Sequence, residues 1–82
     1  KVELSKIPPW VIEFSNLKIL NLGGNRISRI EEGTLSPKLT YLNMPFNKLS
    51  EEVDLSILPK LNYVNLGSNQ ISKINLTNLQ HL

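Results

Sequence analysis

An eleven-residue phrase occurs three times in this chain, at an offset of 22 residues each time and without a gap. The copies occupy residues 17–27, 39–49 and 61–71, and each has the form L-x-x-L-x-L-x-x-N-x-L, with Met, Val or Ile replacing some leucines. A fixed period of this length is the signature of a repeat architecture, in which each unit packs only against its neighbours. The chain is therefore expected to stack in similar layers.

Within each copy, apolar and variable residues alternate with a period of two, which predicts a short half-buried strand. The inward-facing positions are Leu20 and Leu22, Leu42 and Met44, and Val64 and Leu66. A connection of about 17 residues joins consecutive strands and is long enough for a crossover, so the strands are predicted to be parallel.

The segments between the strands, which we call returns, span residues 28–38, 50–60 and 72–82. Pro37 and Pro59 end the first two segments and Gly33 interrupts the first, so long helices are not expected there. We predict short 3₁₀ or single-turn helical pieces instead. The stretch from Asn75 to Leu82 is the most compatible with a helix.

The phrase and its period resemble the leucine-rich repeat. This resemblance implies an α/β solenoid, a right-handed superhelix that forms a horseshoe segment. Short parallel strands would line its concave face, and 3₁₀, short helical or irregular returns its convex face. One leucine-rich-repeat domain would cover residues 1–82, with a partial first repeat at 1–16 and full repeats at 17–38, 39–60 and 61–82. In the partial repeat, we expect packing on the convex side by Trp10, Val11, Ile12 and Phe14.

Neither end of the chain has the composition of a polar cap. At about 25 cal/mol per Å² of apolar surface, an exposed repeat face would cost several kcal/mol, comparable to the whole stability of a small domain. We therefore expect a segment of a longer array, with its ends covered by flanking repeats or by another chain.

One row of asparagines follows the strands, at the turn where each copy of the phrase ends: Asn25, Asn47 and Asn69. An Asn side chain carries both a donor and an acceptor, so it can satisfy backbone groups that the ending strand leaves unpaired. The resemblance identifies these residues as the structural asparagine ladder of the family.

Two further rows are predicted on the opposite, outward face of the strands. They are Ile19, Tyr41 and Tyr63, and beside them Asn21, Asn43 and Asn65, with Phe46 extending the patch at the strand exit. Contiguous exposed apolar and aromatic residues are typical of contact sites, which makes these seven residues the candidate partner-binding set. The alternatives are that the apolar neighbours only stabilise the sheet and that the asparagines form a self-satisfied, solvated ladder.

The composition argues against other classes of function. There is no Cys, the only histidine is His81, and no Gly-rich phosphate loop is present, so we predict no enzyme, no cofactor and no metal site. The net charge of +2 and the absence of a basic stripe argue against nucleic acid, and no apolar run is long enough for a membrane helix. Asn75-Leu76-Thr77 matches the N-glycosylation acceptor pattern, a match that chance also supplies in an Asn-rich chain.

The sequence thus predicts a non-catalytic module that presents a concave sheet to a protein partner. One alternative is a purely structural segment of a larger assembly, and another is an extracellular receptor-type ligand-binding segment. The 22-residue period and the lack of cysteine resemble the intracellular class that includes phosphatase-regulatory and ciliary leucine-rich-repeat proteins. That resemblance implies a cytoplasmic location, with an extracellular location as the alternative.

Overall fold

A computed structural model describes residues 3–77 and Leu79 of this chain. These residues contain one 3₁₀ turn and five short strands. The 3₁₀ turn spans Val11–Glu13, and the strands are β1 (Ile19–Asn21), β2 (Tyr41–Asn43), β3 (Ser50–Asp54), β4 (Tyr63–Asn65) and β5 (Gln70–Asn75).

The first sheet is built from the repeated phrase. Its strand order is β1-β2-β4, and both pairings are parallel. The register follows the 22-residue period, so that Leu20 lies beside Leu42 and Leu42 beside Val64. The prediction of short parallel strands is therefore confirmed. Backbone hydrogen bonding continues past the strand ends, as in the 2.9 Å bond from Phe46 N–H to the Gly67 carbonyl.

The returns differ from what the sequence predicted. We expected 3₁₀ or single-turn helical pieces, but the second and third returns contain β3 and β5, which pair in parallel as a second sheet. The physical reason is that β-branched Val53, Ile71 and Ile74 favour extended backbone and can pack in adjacent layers. The register shifts between Glu51 and Glu52, because the partner strand passes from Ile71 to Lys73 across one extra residue.

The first return remains irregular, as the resemblance allowed. Its chain reverses at a turn in which Thr34 N–H and the Thr34 hydroxyl both donate to the Glu31 carbonyl. Gly33 supplies the left-handed conformation of this turn, with φ of 83°. The predicted helical stretch in the third return begins at Asn75, which ends β5, and most of its last residues, His81 and Leu82 among them, lie outside the described part of the chain.

The core is a single cluster to which both sheets contribute. Leu42 and Met44, from the middle copy of the phrase, are fully buried, whereas the equivalent residues of the first and third copies are only half-buried. The middle repeat is thus the best-packed layer. Of the four residues expected to pack on the convex side, only Val11 is buried; Trp10, Ile12 and Phe14 are exposed, so the expected packing of those three side chains is wrong.

Candidate protein-binding face

The outward face of the three-stranded sheet carries a row of large side chains. The parallel register places Ile19 beside Tyr41 and Tyr41 beside Tyr63. The two tyrosine rings stack, with centroids 4.2 Å apart and an interplanar angle of 8°. Ile19 remains 57% exposed and Tyr63 41% exposed. The row is therefore an ordered aromatic and aliphatic surface of which a large part faces solvent.

Stacking changes the acidity of the central tyrosine. Desolvation raises the pKa of Tyr41 above its ordinary value of 10.0, and the charge and hydroxyl of the neighbouring Tyr63 raise it further. The phenol of Tyr41 is therefore neutral at physiological pH. The row offers apolar ring area and hydroxyl groups.

The neighbouring asparagine row does not form a ladder of its own. Asn65 Oδ1 accepts a 2.9 Å hydrogen bond from Gly67 N–H, within its own repeat. Asn43 Oδ1 is buried and accepts no hydrogen bond from the described residues, and Asn21 is exposed. The described side chains thus do not show the self-satisfied row that was one interpretation of the sequence.

Phe46 lies at the strand exit in an unusual backbone conformation. Its φ is 56°, in the left-handed region, and its side chain is 68% exposed. The equivalent positions of the other two copies are Gly24, with φ of 74°, and Ser68, with φ of 55°. This turn therefore takes the same left-handed conformation in all three repeats, a conformation that glycine adopts freely and that a bulky residue adopts rarely.

The left-handed position is a feature that sequence reasoning missed. The sequence contains the signal, because Gly24 stands at this position of the first copy, and glycine after a strand indicates a turn with positive φ. An open groove surrounds the side chain of Phe46. Its lining includes Gly24, Arg26, Lys48 and Ser68.

The asparagines that end each phrase are held by backbone bonds to neighbouring repeats. Asn47 Oδ1 accepts from Ile27 N–H at 3.0 Å, and its amide donates to the carbonyls of Leu22, Met44 and Pro45 at 2.9, 3.3 and 3.2 Å. The side chain is only 5% exposed. It therefore joins two layers from within the stack and is not available to a partner.

The same arrangement recurs above and below. Asn25 Oδ1 accepts from Leu4 N–H at 2.8 Å, and Asn69 Oδ1 accepts from Leu49 N–H at 2.9 Å. The N–H of Leu4 is thus bonded in the same way as the N–H groups of Ile27 and Leu49 in the next two layers. Each of these three asparagines bonds to the backbone of the preceding repeat and to that of its own repeat, which is a structural role rather than a recognition role.

Comparison with known protein families agrees with this repeated geometry. A family model described as the leucine-rich repeat matches residues 16–37, which contain β1 and its asparagine. This chain contains a leucine-rich repeat. No curated protein and no solved structure matched it. Leucine-rich repeats are in general protein–protein interaction modules, and members of the family are typically not enzymes.

The remaining predicted features of this chain lie away from the strand face. Asn75 Oδ1 accepts from the backbone N–H and the hydroxyl of Thr77, so the acceptor pattern is folded into a local turn at the end of β5. The pKa of Asp54 is lowered, first by the Ser56 hydroxyl and then by the Ser56 backbone N–H. His81 lies outside the described residues.

Two other kinds of feature are absent from the described residues. Within residues 3–77 and Leu79, no three His, Asp or Glu side chains are close enough to hold a metal ion. Over the same residues, no helix combines the length and apolar character that crossing a bilayer requires.

The end of the stack next to β1 has an apolar cavity. Its lining is almost entirely carbon and consists of Leu4, Pro8, Trp10, Val11, Phe14, Leu17, Leu20 and Leu22. The rings of Trp10 and Phe14 meet edge to face there, with centroids 6.1 Å apart. This cavity is a second apolar surface, distinct from the strand face.

Proposed function

We propose that this leucine-rich-repeat protein is a non-catalytic module that binds a protein partner on the outward face of β1, β2 and β4. The proposal carries over the general role of the family and assigns it to the residues of this chain. The observation that supports it best is the continuous row of Ile19, Tyr41 and Tyr63, of which the two ends are about half exposed. Asn21, Asn43 and Asn65 lie beside this row, and Phe46 lies at its exit edge.

Sheet stabilisation alone accounts for only part of the row. A cross-strand aromatic pair contributes about 0.5–1.5 kcal/mol beyond its buried area, so stacking of Tyr41 on Tyr63 would be useful in any case. Ile19 and Tyr63 nevertheless leave large apolar areas in solvent. Rigid aromatic side chains lose little conformational entropy on binding and are frequent energetic centres of interfaces.

The proposal is tested by truncating the tyrosines. The wild-type chain is used to capture partners from cell extract, and the affinity of the purified partner is then measured for the Tyr41→Ala, Tyr63→Ala double variant. We expect at least a tenfold loss, because each tyrosine that fills an interface contributes more than 1 kcal/mol. Circular dichroism establishes that the double variant retains its fold.

The matched control removes an exposed aromatic pair elsewhere. Trp10→Ala with Phe14→Ala takes away similar ring area from the end cavity and leaves the strand face unchanged. Unchanged affinity in the tyrosine variant, together with an intact fold, would show that the strand face is not the binding site.

The second candidate function is structural, and the end cavity favours it. Its lining is nearly all apolar, and apolar surface of this kind is normally covered in the working protein. In that role, the chain would be one segment of a solenoid, with further repeats or another chain against Leu20 and Leu22. The two double variants then distinguish the functions. If the Trp10→Ala, Phe14→Ala variant loses assembly and the Tyr41→Ala, Tyr63→Ala variant retains it, the structural function is favoured.

We also propose a cytoplasmic location and membership of the intracellular class of 22-residue repeats. The support is the absence of cysteine together with the period itself. Expression in secretory cells with and without Asn75→Gln, followed by treatment with a glycosidase, tests whether Asn75 can accept a glycan. A glycosidase-sensitive shift on the native protein in its own cells would favour the extracellular alternative.

A further inference from the structure

The exit edge of the three-stranded sheet forms a surface of its own. We define this strand-exit surface as Gly24, Arg26, Phe46, Lys48 and Ser68, which all line the groove around Phe46. Phe46, Arg26 and Lys48 are exposed.

The aromatic residue at its centre is not what the turn itself requires. The turn takes a φ between 55° and 74° in each repeat. A residue with a Cβ is strained in this region relative to the right-handed region. Phe46 occupies it with a side chain that is 68% exposed, so little burial compensates for the strain. Strained residues that the core does not demand are concentrated at functional sites.

Two cations flank this aromatic residue at a fixed spacing. Arg26 and Lys48 each follow the asparagine of their repeat, and their backbone N–H groups donate to Leu4 and Ile27 at 2.7 and 2.9 Å. They therefore occupy equivalent positions in adjacent layers, which places their backbones about 4.8 Å apart.

The acidic residues of the full repeats lie elsewhere. Five of them are on the returns: Glu31, Glu32, Glu51, Glu52 and Asp54. Among the described residues, Glu3 is the only acidic side chain that lines the groove. With two cations against one carboxylate, the strand-exit surface is locally positive, and five of the seven acidic residues of the chain lie on the returns instead.

We propose that the strand-exit surface binds an acidic segment of the protein partner, in which an apolar side chain next to the carboxylates packs on Phe46. This inference rests on the proposed function and specifies the chemistry of the partner. An exposed aromatic ring supplies the apolar contact. Arg26 and Lys48 supply charge complementarity, which sets orientation and association rate more than total affinity.

The experiment uses random peptides displayed on phage and selected against the immobilised 82-residue chain. The enriched sequences are expected to carry Asp or Glu within two positions of an aromatic or large aliphatic residue. A fluorescent copy of the most enriched peptide is then titrated by fluorescence polarisation. Its affinity should fall as the salt concentration rises from about 50 to 300 mM, because exposed charge pairs are screened.

Two variants divide the surface into its parts. Arg26→Glu with Lys48→Glu should weaken the peptide about tenfold, since each exposed pair is worth up to about 1 kcal/mol and reversal adds repulsion. Phe46→Gly should also weaken it about tenfold while the turn keeps its conformation, because glycine adopts a positive φ without strain. If the reversal variant does not fold, Arg26→Gln with Lys48→Gln replaces it, with an expected loss of about threefold.

The matched control is Lys38→Glu with Lys60→Glu. These two lysines are also one repeat apart and exposed, lie outside the groove, and change the net charge by the same amount. Equal losses in the two reversal variants would mean that only the net charge matters, and the inference would be wrong. Selected peptides with no excess of acidic residues over the starting library would also overturn it.

The outcome is separable from that of the proposed function. If the captured cellular partner needs Tyr41 and Tyr63 but tolerates reversal of Arg26 and Lys48, the strand face is the binding site and the strand-exit inference falls. If neither set of variants affects the partner, both proposals are wrong.

Discussion

The asparagine of the middle repeat offers the sharpest test of how this stack is held together. Truncation by Asn47→Ala removes the acceptor of Ile27 N–H and the donor to three carbonyls. Each of the three carbonyls keeps another hydrogen-bond donor. Leu22 O still accepts from the amide of Asn25 at 3.0 Å, Met44 O from that of Asn69 at 3.0 Å, and Pro45 O from Gly24 N–H at 2.9 Å.

The cost is therefore dominated by one orphaned donor. Ile27 is fully buried, and a buried N–H without a partner costs about 1–3 kcal/mol. Loss of the hydrogen bonds that the Asn47 amide donates adds about 1 kcal/mol net to this cost. We expect Asn47→Ala to lower the free energy of unfolding by about 2–4 kcal/mol, a large share of the 5–15 kcal/mol of a typical domain. Asn25→Ala should cost less, because Asn25 and its partner Leu4 are only half-buried.

Urea unfolding followed by circular dichroism measures these differences, provided that the slope of the transition is the same in each variant. The control is Asn21→Ala, which removes an exposed amide from the strand face and should change stability by no more than about 0.5 kcal/mol. Equal midpoints for Asn47→Ala and Asn21→Ala would refute the reasoning. A larger loss for Asn25→Ala than for Asn47→Ala would refute the part that depends on burial.

Three further outcomes are expected. Ser68→Gly should stabilise the protein and Gly24→Ala should destabilise it, each by about 1 kcal/mol, because both positions have positive φ and nothing lies within 4 Å of a Cβ placed on Gly24. A lower melting temperature for Ser68→Gly, or a higher one for Gly24→Ala, would contradict the left-handed assignment. Asn43→Val should leave stability unchanged or raise it by up to about 1 kcal/mol, since it removes a buried acceptor without a donor among the described residues and favours the strand. A clear loss in urea unfolding would contradict this. Because desolvation and Tyr63 raise the pKa of Tyr41 above 10.0, the neutral phenol is favoured in the folded state. The stability that Tyr41 contributes in this way is present below about pH 10 and is lost as the pH rises through the folded pKa. Tyr41→Phe should therefore reduce the fall of the urea midpoint in that range, and a fall equal to that of the wild type would contradict this.

The three-stranded sheet could be predicted because its information is local and is repeated. Leu20, Leu42 and Val64 alternate with outward residues in the same way at a spacing of 22, and connections of that length allow the crossover that parallel strands need. Nothing about distant parts of the chain has to be known. The register of the outward row follows from the same spacing, since side chains in register on parallel strands are neighbours.

The second sheet could not be predicted in this way. Pairing of β3 with β5 depends on two returns lying side by side, and their sequences do not repeat: Ser50-Glu51-Glu52-Val53 has one residue more than Ser72-Lys73-Ile74. The pairing is also irregular, because β5 has one extra residue, Ser72, at the register shift beside Glu51, whose φ is 62°. Proline and glycine in these segments argued against long helices, but they do not distinguish a short turn from a short strand.

The candidate site depends on departures from the repeat more than on the repeat itself. Gly24 gives way to Phe46, and Ile19 gives way to Tyr41, in both cases on entering the middle layer. That layer is also the one whose inward residues, Leu42 and Met44, are fully buried. Side chains presented from a well-packed layer lose less freedom on binding, and this preorganisation adds to affinity without any new contact. The middle repeat therefore combines the most deeply buried inward residues of the stack with two aromatic residues that the fold alone does not require, which is why binding energy on either proposed surface should be concentrated there.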